Sequence, residues 1–162
     1  MMLGLSLPMF TLVHIAISLI GLAAGFGVLY GFLLSRASTS WTKVFLVFTI
    51  LTNVTGFLFP FDRLLPSHIV AAISLIVLAV ALAALYVFHL AGAWRWIYVS
   101  TAVAALYLNA FVLVAQTFNK NPALKELAPT QSEPAFVITQ ALLLVGFVVL
   151  GVLAARRFHP EN

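Results

Sequence analysis

The chain has 162 residues, of which 64% are hydrophobic and only 7% are charged. Soluble domains contain roughly 45–50% apolar and about 25% charged residues, so this chain has too few polar side chains to cover a water-soluble core. Scarce charge argues against a nucleic-acid binder and against intrinsic disorder, and the absence of cysteine excludes a disulfide scaffold. The composition therefore predicts that a lipid bilayer surrounds most of the chain.

Long intervals without Asp, Glu, Lys or Arg divide the chain into five segments. A hydrocarbon core of about 30 Å requires about 20 helical residues, with a working range of about 17 to 25, and each segment reaches that range. The sequence therefore predicts an all-α integral membrane bundle that forms a single transmembrane domain over residues 1–162. The five predicted spans run near 8–34, 42–60, 66–90, 96–118 and 134–155.

The longest connection, between the fourth and fifth spans, contains the signals of a further short helix. Asn121 is a favourable N-cap and Pro122 suits the first helical position, so one or two turns are predicted over residues 123–127 at the membrane interface. This loop either covers a site on its side of the membrane or simply joins two spans. Pro134 marks the start of the last span, with the Glu133 carboxylate at the positive end of its dipole.

The eight basic residues are distributed unequally between the two ends of the predicted bundle. Cytoplasmic loops carry an excess of Lys and Arg, so this distribution predicts a periplasmic N-terminus and a cytoplasmic C-terminus. The group assigned to the cytoplasm is Arg36, Lys43, Arg95, Arg156 and Arg157, and the opposite group is Arg63, Lys120 and Lys125. All three tryptophans fall near the cytoplasmic boundary, as expected for an interfacial aromatic belt.

Small and polar residues mark the expected contacts between helices, because helices in lipid associate through close packing and interhelical hydrogen bonds. A stripe with spacings of three and four on the first span consists of Thr11, His14, Ser18, Gly21 and Gly25. Such residues share one helix face, which we expect to point inward. A second pair, Gly27 and Gly31, lies on a different face and is expected to contact a neighbouring helix or another copy of the chain.

The polar residues of the spans concentrate toward the predicted outer side. Imidazole is the commonest metal ligand and a usual axial ligand of haem iron, so His14 and His68 are candidate cofactor ligands if the first and third spans face each other. The other predicted pocket residues are Asn53, Asp62, Arg63, Asn109, Gln116 and Gln140. In the plainer interpretation, His14 hydrogen-bonds Asn53 or a backbone carbonyl, and His68 merely begins the third span.

Three classes of function are compatible with these features. The first is binding of a small ligand or redox cofactor (haem, a metal ion or a quinone) in an outward-facing pocket. The second is a non-catalytic accessory subunit that docks onto a larger membrane complex or forms a homo-oligomer. An oligomeric transporter or channel is less favoured, because the chain is short and has no internal repeat. No HExxH, CxxC or Gly-rich phosphate loop is present, and no catalytic residue is predicted.

The second half of the chain contains three segments of note: residues 107–118 (YLNAFVLVAQTF), 127–130 (LAPT) and 133–134 (EP). In these segments the chain resembles uncharacterised bacterial inner-membrane proteins. The similarity lies mainly within residues 94–134 and implies a multi-pass protein of the bacterial inner membrane. It assigns no activity and no catalytic residue, but it directs attention to Asn109 and Gln116.

Overall fold

The computed structural model describes residues 4–60 and 66–160. These residues form helices and connecting turns without a β-strand, which confirms the all-α prediction. The helices are α1 (Leu7–Leu33), α2 (Thr39–Phe57), α3 (Pro66–Leu82), α4 (Trp94–Lys120), α5 (Pro122–Leu127) and α6 (Pro134–Arg157). A π-helical turn, Ala83–Val87, continues α3.

Four of the described helices are long and apolar enough to cross a membrane: α1, α3 with its π-helical turn, α4 and α6. These helices support the assignment to membrane proteins. The second predicted span corresponds to α2, which has 19 residues. Its hydropathy is lowered by Lys43 in its first turns and by Asn53 and several threonines further along. The predicted count of five spans is therefore not confirmed, because four helices meet the requirement among the described residues.

The helix bounds agree with the predicted spans to within one helical turn, except at the end of the third span. That span was predicted to continue to residue 90, but its α-helix ends at Leu82. The backbone then winds into the π-helical turn and reverses through His89, Leu90 and Gly92, which all have positive φ values. The reversal shortens the third helix because residues with positive φ cannot continue a right-handed helix.

The termini of the long helices gather at two opposite ends of the bundle. One end of the bundle, here termed the outer end, contains the starts of α1 and α3 and the ends of α2 and α4. The opposite, inner end contains the turn between α1 and α2, the start of α4 and the end of α6. There the backbone amide of His159 donates to Ser35 Oγ at 2.8 Å, and the Arg95 guanidinium donates to the Phe158 carbonyl.

The glycine stripe of α1 faces its neighbours, as predicted. A Cβ at Gly21 would lie 3.3 Å from the α2 backbone at Phe48 and Thr49. A Cβ at Gly25 would lie 2.4 Å from Leu106 Cδ1 and 2.9 Å from the Phe45 ring. Glycine therefore allows α1 to approach α2 and α4 closely, as small residues do in membrane helices.

We expect Gly25→Ala to destabilise the bundle by about 1–3 kcal/mol, because inserting a methyl group into a packed contact forces its neighbours apart. Gly146→Ala is the matched control, since nothing lies within 4 Å of a Cβ at that position on α6. The control should be neutral or slightly stabilising, because alanine is the better helix former. Unfolding titrations in mixed micelles would measure both, and equal stability of the two variants would contradict the assigned contact.

The second glycine pair also packs within the chain. A Cβ at Gly27 would lie 3.1 Å from the Trp41 ring, and a Cβ at Gly31 would lie 2.8 Å from the Arg36 carbonyl oxygen. Of the two predicted alternatives, the structure therefore shows the contact with a neighbouring segment. It places the start of α2 against the end of α1.

The predicted short helix in the outer loop is present as α5. Asn121 Oδ1 accepts hydrogen bonds from the backbone amides of Ala123 and Leu124, at 3.1 and 3.4 Å, as an N-cap does. The following turn is tied to α4 by Gln131 Nε2, which donates to the Ala115 carbonyl at 2.7 Å. The loop is thus packed on α4 and joins it to α6.

The Glu133 carboxylate organises this turn. It accepts hydrogen bonds from the Thr130 hydroxyl at 2.8 Å and from the backbone amides of Thr130 and Ser132 at 3.1 and 3.0 Å. Desolvation raises the pKa of Glu133, but these hydrogen bonds outweigh it and lower the pKa below its ordinary value of 4.5. The carboxylate therefore accepts hydrogen bonds from the preceding loop residues Thr130 and Ser132, and it also lies at the start of α6.

A depressed pKa makes the turn sensitive to acid. The Glu133 contribution is fully present above pH 4.5, the value in the unfolded chain, and is lost as the pH falls through the lower folded value. We expect hydrogen exchange at the Thr130 and Ser132 amides, corrected for intrinsic rates, to accelerate below pH 4.5. Glu133→Gln should remove this pH dependence, and an unchanged profile in that variant would contradict the assignment.

Candidate functional site

The outer half of the bundle encloses a cavity of about 720 Å³, here termed the outer cavity. The first half of α1, the end of α2, the start of α3 and the second half of α4 form its wall. Binding sites for small molecules usually measure about 300–1,000 Å³ and combine apolar surface with a few polar groups. The outer cavity has the size and the mixed lining of such a site.

The structure brings five predicted site residues to the wall of this cavity. They are His14, Asn53, His68, Asn109 and Gln116, contributed by α1, α2, α3 and α4. Asp62 and Arg63 lie outside the described residues. The wall therefore has contributions from four of the five predicted spans.

Gln140 was predicted to belong to this group, but it does not line the outer cavity. Its side chain is buried between α6 and α4, where Nε2 donates to the Phe111 carbonyl at 3.1 Å. α6 packs on α4 through Phe111 and Phe118, whereas Asn109 and Gln116 are on the cavity wall. Gln140 is consequently a contact between two helices outside the cavity.

His14 is held by a hydroxyl on α2. Nδ1 lies 2.7 Å from Thr55 Oγ1, which is also within hydrogen-bond distance of the Leu51 and Thr52 carbonyls, at 2.7 and 3.2 Å. A hydroxyl has only one proton to donate, so when Thr55 donates to a carbonyl it accepts from the His14 Nδ1–H, and we assign this tautomer. The neutral ring then carries its unprotonated lone pair on Nε2, the nitrogen used by many metal-binding histidines.

The predicted partner of His14 was therefore incorrect, since the ring bonds neither Asn53 nor a backbone carbonyl through Nδ1. The Phe59 ring meets the imidazole edge to face, with centroids 5.1 Å apart. A Cβ at Gly56 would lie 3.9 Å from His14 Cε1. The end of α2 thus fixes the ring by one hydrogen bond and one aromatic contact.

His68 occupies a different environment on α3. Its side chain is buried and stacks on the Phe57 ring, with centroids 5.6 Å apart and an interplanar angle of 28°. The residue borders the outer cavity near the start of α3. Its burial distinguishes it from an imidazole that merely begins a helix in solvent.

Asn53 connects α2 to α3 at the deep side of the cavity. Its Nδ2 donates to the Thr49 carbonyl at 2.8 Å and to Ser74 Oγ at 3.1 Å. Both amide protons are therefore used, and within the described part of the chain Oδ1 accepts no hydrogen bond. The wall thus offers a second acceptor besides His14 Nε2.

α4 supplies the donors of the wall. Asn109 Nδ2 is buried and has no hydrogen-bond partner among the described residues, so a ligand acceptor would satisfy it. Gln116 and Lys120 are exposed and border the cavity toward the outer end. Asn121 and Pro122, at the start of the outer loop, reach the rim of the outer cavity. The rest of the loop packs on α4.

Sequence reasoning missed Thr55, Phe59 and Lys120. The place of Thr55 two residues after Asn53, on the polar part of α2, was a usable signal. The described residues hold no group of three or more His, Cys, Asp or Glu side chains positioned for a metal ion. The polar wall is instead built from imidazoles, amides and hydroxyls.

Comparison of the chain with protein families, with curated proteins and with solved structures finds no match.

Proposed function

We propose that this protein is a multi-pass bacterial inner-membrane protein whose outer cavity binds one small ligand or redox cofactor per chain. In this proposal all five long helices span the bilayer, the N-terminus and outer cavity face the periplasm, and the C-terminus faces the cytoplasm. The main support is a cavity of about 720 Å³ whose wall combines two imidazoles, four amides, several hydroxyls and Lys120 with apolar side chains.

The hydrogen bond from His14 to Thr55 supports a ligand role for the imidazole. Metal-bound histidines generally donate their second ring nitrogen to a neighbouring acceptor, which fixes the tautomer and the ring orientation. Thr55 Oγ1 is such an acceptor, at 2.7 Å. The same arrangement suits a hydrogen bond from an organic ligand to Nε2, so haem and the quinol form of a quinone both match the chemistry of His14.

An isolated metal ion matches this wall less well than an organic molecule does. The described residues do not gather three ligating side chains, whereas structural and catalytic metal sites usually use three or four. An organic molecule would also contact the apolar side chains of the cavity wall, which a bare ion would leave without a partner. We therefore place haem and quinone-type molecules ahead of a metal ion alone.

The identity of the bound molecule is tested on protein purified in mild detergent from its own membrane. An absorbance spectrum detects haem, elemental analysis detects a metal ion, and mass spectrometry of a solvent extract detects an organic molecule. We expect about one equivalent per chain of one of these. An empty preparation that instead co-purifies with a larger membrane complex would overturn the proposal in favour of an accessory subunit.

A further inference from the structure

α1 and α4 both line the outer cavity, and they touch at Gly25 and Leu106, toward the inner end. Three apolar side chains of these two helices indicate an opening between them. On its two edges Ile15, Leu19 and Leu113 are 40%, 48% and 40% exposed although they line the cavity. The gap between these three side chains is here termed the side opening.

The side opening lies at the depth of the hydrocarbon. Leu19 is about 18 Å and Ile15 about 12 Å from the outer start of α1, at 1.5 Å per helical residue. Leu113 is about 10 Å below the end of α4 by the same measure. Since a bilayer core is about 30 Å thick, these apolar edges meet acyl chains, and a molecule that passes between them must dissolve in lipid.

The polar wall inside the opening specifies the head of that molecule. His14 Nε2 and Asn53 Oδ1 are acceptors, because the protons beside them are already donated to Thr55, Thr49 and Ser74. Two acceptors favour a ligand head with hydroxyl protons. The described part of the wall carries no carboxylate to pair a cationic head, and its cationic side chain, Lys120, borders the cavity only toward the outer end. A neutral hydroxyl fits both kinds of group, because its proton meets an acceptor and its oxygen can accept from the unpaired Asn109 Nδ2.

We infer that the outer cavity takes a membrane-dissolved amphiphile with a neutral, hydroxyl-bearing ring as its head, which enters sideways through the gap between α1 and α4. The head donates to His14 Nε2 and Asn53 Oδ1, and the apolar tail leaves through the side opening into the outer leaflet. This inference rests on the proposed binding function and adds the chemistry of the ligand and its route. A quinol with an apolar tail is the simplest molecule of this class.

Three probes and nanodisc-embedded protein test the inference. The probes are decylubiquinol, its dimethyl ether, and the same quinol without the tail, each equilibrated under argon between empty and protein-loaded nanodiscs. We expect more decylubiquinol in the protein-loaded nanodiscs than in the empty ones, and this excess is the measure of retention by the protein. The dimethyl ether, which has no proton to donate, should bind at least about tenfold more weakly, because two buried acceptors stay unsatisfied. The tailless quinol should also bind more weakly.

A bulky side chain at the side opening tests the route. Leu19→Trp should weaken retention of decylubiquinol at least about tenfold, and Leu113→Trp tests the opposite edge independently of any folding defect in the first variant. Leu142→Trp is the control, since this residue is exposed on α6 and does not line the cavity. It should bind as wild type does. Circular dichroism and elution volume establish that each variant is folded.

Distinct outcomes contradict the inference and the proposed function. Equal binding of the ether and the quinol would overturn the hydroxyl-bearing head. Wild-type binding by both tryptophan variants would overturn the side entrance while the proposed function stands. If the protein binds none of the three probes but contains haem, the inference alone is overturned. If it binds none of them and is also purified without a bound molecule, the proposed function is overturned as well.

Discussion

His14→Ala is expected to empty the outer cavity. The substitution removes Nε2, which we assign as the principal polar contact, and leaves the polar atom of the ligand unpaired in an apolar surrounding. Such a loss costs about 1–3 kcal/mol, so the dissociation constant should rise about tenfold or more. If the ligand is haem, its absorbance should disappear from the purified variant, since an axial nitrogen is lost.

Two further substitutions show whether the effect arises at the cavity. His159→Ala removes an exposed imidazole at the inner end and should leave binding unchanged. Thr55→Val keeps His14 but removes the acceptor of its Nδ1–H, so the ring loses its fixed tautomer and orientation. We expect intermediate weakening for Thr55→Val. If His14→Ala and His159→Ala retain equal amounts of the bound molecule, His14 is not its contact.

Phe158→Ala is expected to cause the largest loss of stability. The Phe158 side chain is 1% exposed and packs against Phe32 and Tyr98, with ring centroids 4.7 and 6.4 Å away. Deleting a buried Phe side chain costs about 3–5 kcal/mol through lost contacts and the cavity left behind. The substitution should therefore loosen the inner end, where the segment after α6 joins α1 and α4.

The matched control is Phe26→Ala, which removes the same side chain from a half-exposed position on α1. Its loss of stability should be much smaller, because lipid replaces most of the contacts that the ring makes. Unfolding titrations of both variants in mixed micelles give the comparison. The assigned role of Phe158 fails if the two variants unfold at the same denaturant concentration.

Helix positions and the inward stripe could be predicted from sequence for simple physical reasons. Charged residues are excluded from hydrocarbon, so the uncharged intervals locate α1, α3, α4 and α6 to within a turn at all but one of their ends. Helical periodicity then places His14, Gly21 and Gly25 on one face. The direction of each helix along the bundle was enough to place Asn53, Asn109 and Gln116 in the same half of the bundle, where the structure has them.

What failed depends on helix rotation and pairing, which a single sequence does not specify. Gln140 has the depth of a cavity residue, but α6 lies against another face of α4. In the plainer interpretation His14 was expected to bond Asn53 or a backbone carbonyl, but Asn53 donates to Thr49 and Ser74, and His14 Nδ1 is paired with Thr55. Periodicity identifies a face of a helix but does not identify the neighbour that the face meets.

The central claim, that the outer cavity holds one molecule through His14, is tested most directly by native mass spectrometry of the protein released from nanodiscs. We predict that the wild-type chain of 17.6 kDa carries one additional molecule. The same mass should persist in His159→Ala and vanish in His14→Ala. A wild-type chain without any added mass under the mildest release conditions, or an adduct that survives His14→Ala, would contradict the claim.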